Sequence, residues 1–85
     1  RFSVRRVMSD LYRRVHSDGM VPLLRDLHRR SDSEEVVVLV VAALELVRLG
    51  GVRAEQRRPF AEVYLRPGSR KVDTDALEEE RANGA

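Results

Sequence analysis

The amino-acid sequence predicts a small α+β domain, and three observations carry that reading. Apolar residues recur every three or four positions from Val4 to Val15 and run densely from Val36 to Leu49. Between Val52 and Leu65 they alternate instead, in two runs parted by Arg57-Arg58-Pro59-Phe60. At 85 residues the chain is long enough for a single modest core and no more.

The elements follow in order. Ser3 can cap a first helix whose apolar positions are Val4, Val7, Met8, Leu11, Tyr12 and Val15. Arg5, Arg6, Arg13 and Arg14 fall mostly on its outer side. Ser17-Asp18-Gly19 ends it, with Gly19 free to adopt the left-handed C-cap conformation. Met20-Val21-Pro22 reads as a short extended segment, because a residue before proline is pushed toward β geometry. An edge strand there tolerates Pro22. Leu23, Leu24 and Leu27 then suggest a brief second helix that fades through His28-Arg29-Arg30.

The third helix has the clearest start. Asp32 stands three residues before Glu35, and Ser31 three before Glu34, both in capping-box spacing. Those acids also favour the positive end of the helix dipole. A strand over Val36 to Val41 is the rival reading, since valine has only moderate helix propensity. The capping box and the length to Leu49 decide for helix, and Gly50-Gly51 stops it. Val52 to Gln56 and Ala61 to Leu65 read as two strands of a hairpin, with Phe60 and Tyr64 assigned to hairpin and core packing. Pro67-Gly68-Ser69 breaks the chain, so residues 1–66 form the expected domain and 67–85 a charged, mobile tail with a frayed helical turn near Ala76 to Arg81.

The third helix is apolar on nearly every side. At 100° per residue, Leu39, Ala42, Ala43, Leu46 and Leu49 gather on one face, and Val36, Val37, Val40, Val41, Leu44 and Val47 on the other. Glu34, Glu45 and Arg48 occupy only a narrow boundary. A helix in a small domain normally shows one apolar stripe. One face here can serve the core, and nothing in a chain this short is left to cover the second. An uncovered apolar face marks a binding surface.

Composition narrows the function classes. The absence of Cys excludes disulfides and thiolate metal sites and fits a reducing compartment. The chain holds one Lys and fifteen Arg, a bias of GC-rich bacterial genomes. It begins with Arg1 and not Met, as expected of a piece cut from a longer protein. The longest apolar run, Val36 to Leu44, is nine residues, whereas a membrane span needs about 20. His16 and His28 lie twelve residues apart without Cys or a carboxylate motif, so no metal or other cofactor is expected. Gly50-Gly51 lacks the surrounding pattern of a phosphate loop, and no nucleophile–base arrangement is visible, which argues against catalysis.

Helix, short strand, helix, helix and two-stranded hairpin is the order of a winged-helix domain. In DNA-binding members the third helix reads base edges, which requires hydrogen-bonding side chains. Val37, Val40, Val41 and Leu44 cannot supply them, so this position is read as facing another protein. A DNA-binding winged-helix regulator is the alternative. Arg57 and Arg58 at the wing tip are its best residues, since wing arginines can reach phosphates.

The ordered set Glu34 to Gly50, Val52-Arg53-Ala54-Glu55-Gln56 and Phe60-Ala61-Glu62-Val63-Tyr64-Leu65 resembles the C-terminal region of kleisin subunits, in particular bacterial segregation and condensation proteins of the A type. The likeness covers residues 34–65, while residues 3–30 agree in helical layout alone. The family usually has larger residues at positions 40–43, where Val40, Val41, Ala42 and Ala43 stand, and Gly where Ala61 stands. The resemblance implies a non-enzymatic domain that docks on the ATPase head of an SMC protein and helps close a chromosome-organising ring. It implies Val37, Val40, Val41, Leu44 and Gln56 as the partner-binding residues. It also implies a monomeric fragment of a cytoplasmic, nucleoid-associated protein. The rest of the kleisin chain and its accessory subunit would complete the complex, which meets DNA indirectly.

Overall fold

The computed structural model describes residues 2–83, and the side chains of residues 2–79. The described residues fold as an α+β domain of four helices and one three-stranded antiparallel sheet. The elements are α1 (Val4–Asp18), β1 (Val21–Pro22), α2 (Leu23–His28), α3 (Ser33–Leu49), β2 (Val52–Glu55), β3 (Tyr64–Pro67) and α4 (Thr74–Asn83).

Local chemistry sets the long helices. The Ser3 hydroxyl accepts from the Arg6 amide at the start of α1, and Gly19 closes it at φ 83°, its amide donating to the Val15 carbonyl. Asp32 caps α3 by accepting from the amides of Glu34 and Glu35, at 2.8 and 3.4 Å. Glu35 does not complete the box; it pairs with Arg30 instead. Gly50, at φ 80°, ends α3, with its amide donating to the Leu46 and Val47 carbonyls.

The sheet order is β1-β3-β2, with Val21 and Ala54 both opposite Leu65. The core lies between α1, α3 and the sheet. It is built from Met8, Leu11 and Val15, from Leu39, Ala42, Ala43 and Leu46, and from Val21, Val52 and Leu65. The other sheet face carries Arg53, Glu55 and Arg66, where Glu55 accepts from both arginines. The hairpin differs from the expected one. Its second strand runs over Tyr64–Pro67 and not Ala61 to Leu65, because residues 58–61 form a turn and Glu62 is engaged elsewhere. The Glu62 carboxylate accepts from the amides of Leu24 and Arg25, at 2.6 and 3.1 Å, and so caps α2 from across the chain.

The expectation of a mobile tail from residue 67 is corrected in its described part. β3 runs to Pro67, and Gly68 and Arg70 continue the backbone pairing by donating to the carbonyls of Gly51 and Gly50, both at 3.0 Å. A β-carbon on Gly68 would lie 2.1 Å from the Gly50 oxygen, so the two strands approach this closely only through glycine. Val72 and Leu77 pack on the core, and α4 lies along α1. The wholly buried Ser9 hydroxyl donates to Glu78 at 2.5 Å, Arg13 pairs with the same carboxylate at 2.8 Å, and the Tyr12 hydroxyl accepts from the Val72 amide. Composition hid this because the docking is mostly polar. Residues 84–85 of the expected tail lie outside the described residues.

One buried ionic network fixes α2 against its neighbours. Asp26 is 5 % exposed and accepts two bonds from Arg14, at 3.0 and 2.8 Å, and one from Arg30 at 3.0 Å. Arg30 in turn pairs with Glu35 at the head of α3. Burial alone would push the Asp26 carboxyl up, but the two guanidiniums outweigh it and hold it below the usual range. Among the described residues no helix is long and apolar enough to cross a membrane.

Candidate functional site

The apolar character of α3 divides largely as the helical wheel requires, except that Val36 and Val40 of the outer face are half-buried. Leu39, Ala42, Ala43 and Leu46 enter the core. On the opposite side Val37 is 59 % exposed and Leu44 65 %, with Val41 and Val47 exposed beside them. Val40 is half-buried and sits between Val37 and Val41 on the one side and Val47 on the other, so it forms the stripe's shoulder and not its crest. These positions, spaced three and four apart, make a continuous stripe along a helix about 25 Å long. The exposures of Val37, Val41, Leu44 and Val47 amount to about two whole side chains left in water, about 3–6 kcal/mol of burial not realised within the chain.

The C-terminal end of the stripe is charged, since Arg48 follows Val41 and Leu44 on the same face at spacings of seven and four. Glu45 and Arg48 pair one turn apart on α3, and the Arg48 guanidinium holds the Glu45 carboxyl below its ordinary value. At the C-terminal end Val47 shares a surface depression with Arg53 and Ala54 of β2, which carries the apolar surface onto the sheet edge. β2 is an outer strand, since β3 covers only one of its sides.

The hairpin tip presents a second feature. Arg58-Pro59-Phe60-Ala61 is a β-turn closed by the Ala61 amide donating to the Arg58 carbonyl at 3.1 Å. Pro59 supplies the fixed φ of the second turn position, and Phe60 follows at φ 67°, where glycine or asparagine is ordinary. Left-handed backbone costs an L side chain about 1–2 kcal/mol. The Phe60 ring is 100 % exposed, which corrects its assignment to hairpin packing. Tyr64, by contrast, is half-buried in β3.

Gln56 stands at the base of this loop. It is exposed, and its side-chain amide donates to the Ala61 carbonyl at 2.8 Å, so part of its hydrogen-bonding capacity braces the turn. Arg57 and Arg58 are exposed on the tip, and neither has an acidic partner among the described residues. No protein-family model, curated protein or solved structure matches this chain. Its own surface therefore carries the functional argument.

The structure thus brings Val37, Val41 and Leu44 together on one exposed face, with Val40 at its edge, and puts Gln56, Arg57 and Arg58 on the hairpin loop. Reading the sequence missed Phe60 as an exposed group. The signal present was Pro59 before it, since proline at the second position of a turn leaves the next residue open to positive φ. No catalytic arrangement emerges from the histidines. His16 Nε2 donates to the Gly51 carbonyl, and its ring lies tilted against Tyr12 with centroids 4.2 Å apart, while His28 Nδ1 donates to the Leu24 carbonyl. Among the described residues no three His, Cys, Asp or Glu side chains converge as metal ligands.

Proposed function

We propose that this chain is a winged-helix domain of the kleisin C-terminal type, most like bacterial segregation and condensation protein A, which binds the ATPase head of an SMC protein. The β2–β3 hairpin is the wing, and the exposed face of α3 is the docking surface. Val37, Val40, Val41 and Leu44 make the apolar contact, with Gln56 alongside. The domain acts without catalysis or cofactor, as an adaptor that helps close a ring for chromosome condensation and segregation, in the cytoplasm and on the nucleoid.

One observation carries the reading: a full stripe of valine and leucine on α3 that the chain's own elements leave in water. A helix presenting that stripe to DNA would leave phosphates unneutralised and bases unread. Against a protein groove it is an ordinary helix-in-groove surface.

The test is to mix the purified 85-residue chain with an SMC head fragment from the same genome and follow co-elution by size-exclusion chromatography. A stable complex that persists from about 50 to about 500 mM salt supports the reading. No complex with the head, together with tight duplex binding that falls steeply with salt, would establish the DNA-binding regulator instead.

A further inference from the structure

We infer that Phe60 is a second anchor for the same partner, and that the partner offers it an apolar socket rimmed by carboxylates. This rests on the protein-binding reading of the α3 stripe. The turn at 58–61 selects for glycine at its third position, and a phenyl ring stands there with all of its surface in water. Within the chain the ring gains nothing from that place. Its backbone is disfavoured, its side chain touches no core, and an exposed aromatic adds to aggregation. A residue unfavourable to its own fold on every count is explained by what it does outside the fold.

Charge identifies the rim. Arg57 and Arg58 stand three and two residues before Phe60 on the same exposed loop, and form no ion pair among the described residues. The acids nearest in sequence are already engaged, Glu55 by Arg53 and Arg66, and Glu62 by the amides of Leu24, Arg25 and Val63. The tip therefore presents two exposed arginines without an ion pair on the loop that carries the exposed ring. Aromatic and arginine side chains together are the composition of interface hot spots.

Magnitude decides between a protein and a nucleic acid as occupant. Two arginines neutralise about two phosphates, whereas a duplex binder typically makes roughly six to ten such contacts. Full burial of a phenyl ring is worth about 10- to 100-fold in affinity without them. The bracing of the loop by Gln56 adds to this, since a held turn loses little freedom on docking.

The experiment titrates the 85-residue chain and its Phe60→Gly and Leu44→Arg variants into the SMC head by calorimetry, with melting curves of each and a parallel titration into a duplex of about 20 base pairs. Glycine suits the positive φ, so Phe60→Gly should melt at or above the parent temperature while binding the head about 10- to 100-fold more weakly. Parent-like head binding by Phe60→Gly, beside loss of binding in Leu44→Arg, overturns the second anchor and leaves the α3 reading standing. Head binding that survives Leu44→Arg removes the α3 reading, and the inference with it. Duplex binding at physiological salt that Phe60→Gly abolishes, with head binding intact, makes the occupant nucleic acid and also overturns the proposal.

Discussion

Replacing Leu44 with arginine separates a docking face from a core face. Leu44 is 65 % exposed, so the fold gains only about a third of a leucine's burial from it, about 0.5–1 kcal/mol. A domain of this size shifts its melting midpoint by about 4–8 °C per kcal/mol, so Leu44→Arg should lower it by no more than about 8 °C. Binding responds differently. The exposed two-thirds of the side chain is worth about 1–2 kcal/mol once a partner covers it. A guanidinium in its place must be desolvated at the centre of an apolar contact, which adds several kcal/mol more. The sum is a loss of at least about 100-fold in affinity for an SMC head. Calorimetric titration reads the affinity, and circular dichroism melts read the fold. Leu46→Arg serves as the contrast, since Leu46 is wholly buried and its replacement should abolish folding. If Leu44→Arg unfolds the domain as Leu46→Arg does, the outer face of α3 is core. If it binds the head like the parent chain, the stripe is not the docking surface.

Two further outcomes test the fold that holds this face in place. Asp26→Asn removes the anion shared by Arg14 and Arg30 and should destabilise by about 2–3 kcal/mol, the two arginines, each about a third exposed, regaining some hydration. Because the native carboxyl titrates below the unfolded value near 3.9, its stabilisation is complete above about pH 5 and is lost as pH falls through the native value. Urea midpoints at about pH 7, 4 and 3 should thus fall more steeply for the parent than for Asp26→Asn; parallel curves would assign the acid sensitivity to other carboxylates. Gly68→Ala places a methyl 2.1 Å from the Gly50 carbonyl oxygen, backbone against backbone, and should cost about 1–3 kcal/mol or more by chemical denaturation. A variant as stable as the parent would mean that the 50–51 and 68–70 segments separate easily.

How far the sequence reveals this molecule depends on the range of each interaction. The α1 and α3 helices are legible because Ser3, Gly19, Asp32 and Gly50 act within one turn of the chain they cap. The doubled apolar surface of α3 is legible for the same reason, since facing follows from the 3.6-residue period alone. What escapes is set by distant partners. Asp26 in a six-residue helix looks like a solvated charge until Arg14 and Arg30 are brought around it. Glu62 looks like a strand residue, yet it caps a helix that begins 39 positions earlier in the sequence. The segment after Pro67 reads as a loose tail because its only large apolar side chains are Val72 and Leu77, while Ser9, Tyr12 and Arg13 hold it through polar atoms. Phe60 escapes because its exposure depends on the turn, and the turn on where β3 begins.

The choice of valine for a solvent-facing stripe is itself informative. On a helix, valine has less propensity than alanine by roughly 0.5 kcal/mol, so selection for stability alone would not put it at Val37 and Val41. Valine has one dominant side-chain rotamer in a helix, however, and covering it freezes almost nothing. A stripe of valines is thus apolar area that a partner can bury at small entropic cost. Val41→Ala isolates the trade. At 44 % exposure the fold loses about half the burial of two methyl groups, roughly 0.9 kcal/mol, and regains roughly 0.5 in helix propensity. The melting midpoint should move by less than about 5 °C. The exposed remainder is worth roughly 0.7 kcal/mol to a partner, so affinity for the head should fall about threefold. A melting loss well beyond that bound, with affinity unchanged, would mean that Val41 serves the fold and that the stripe narrows to Val37 and Leu44.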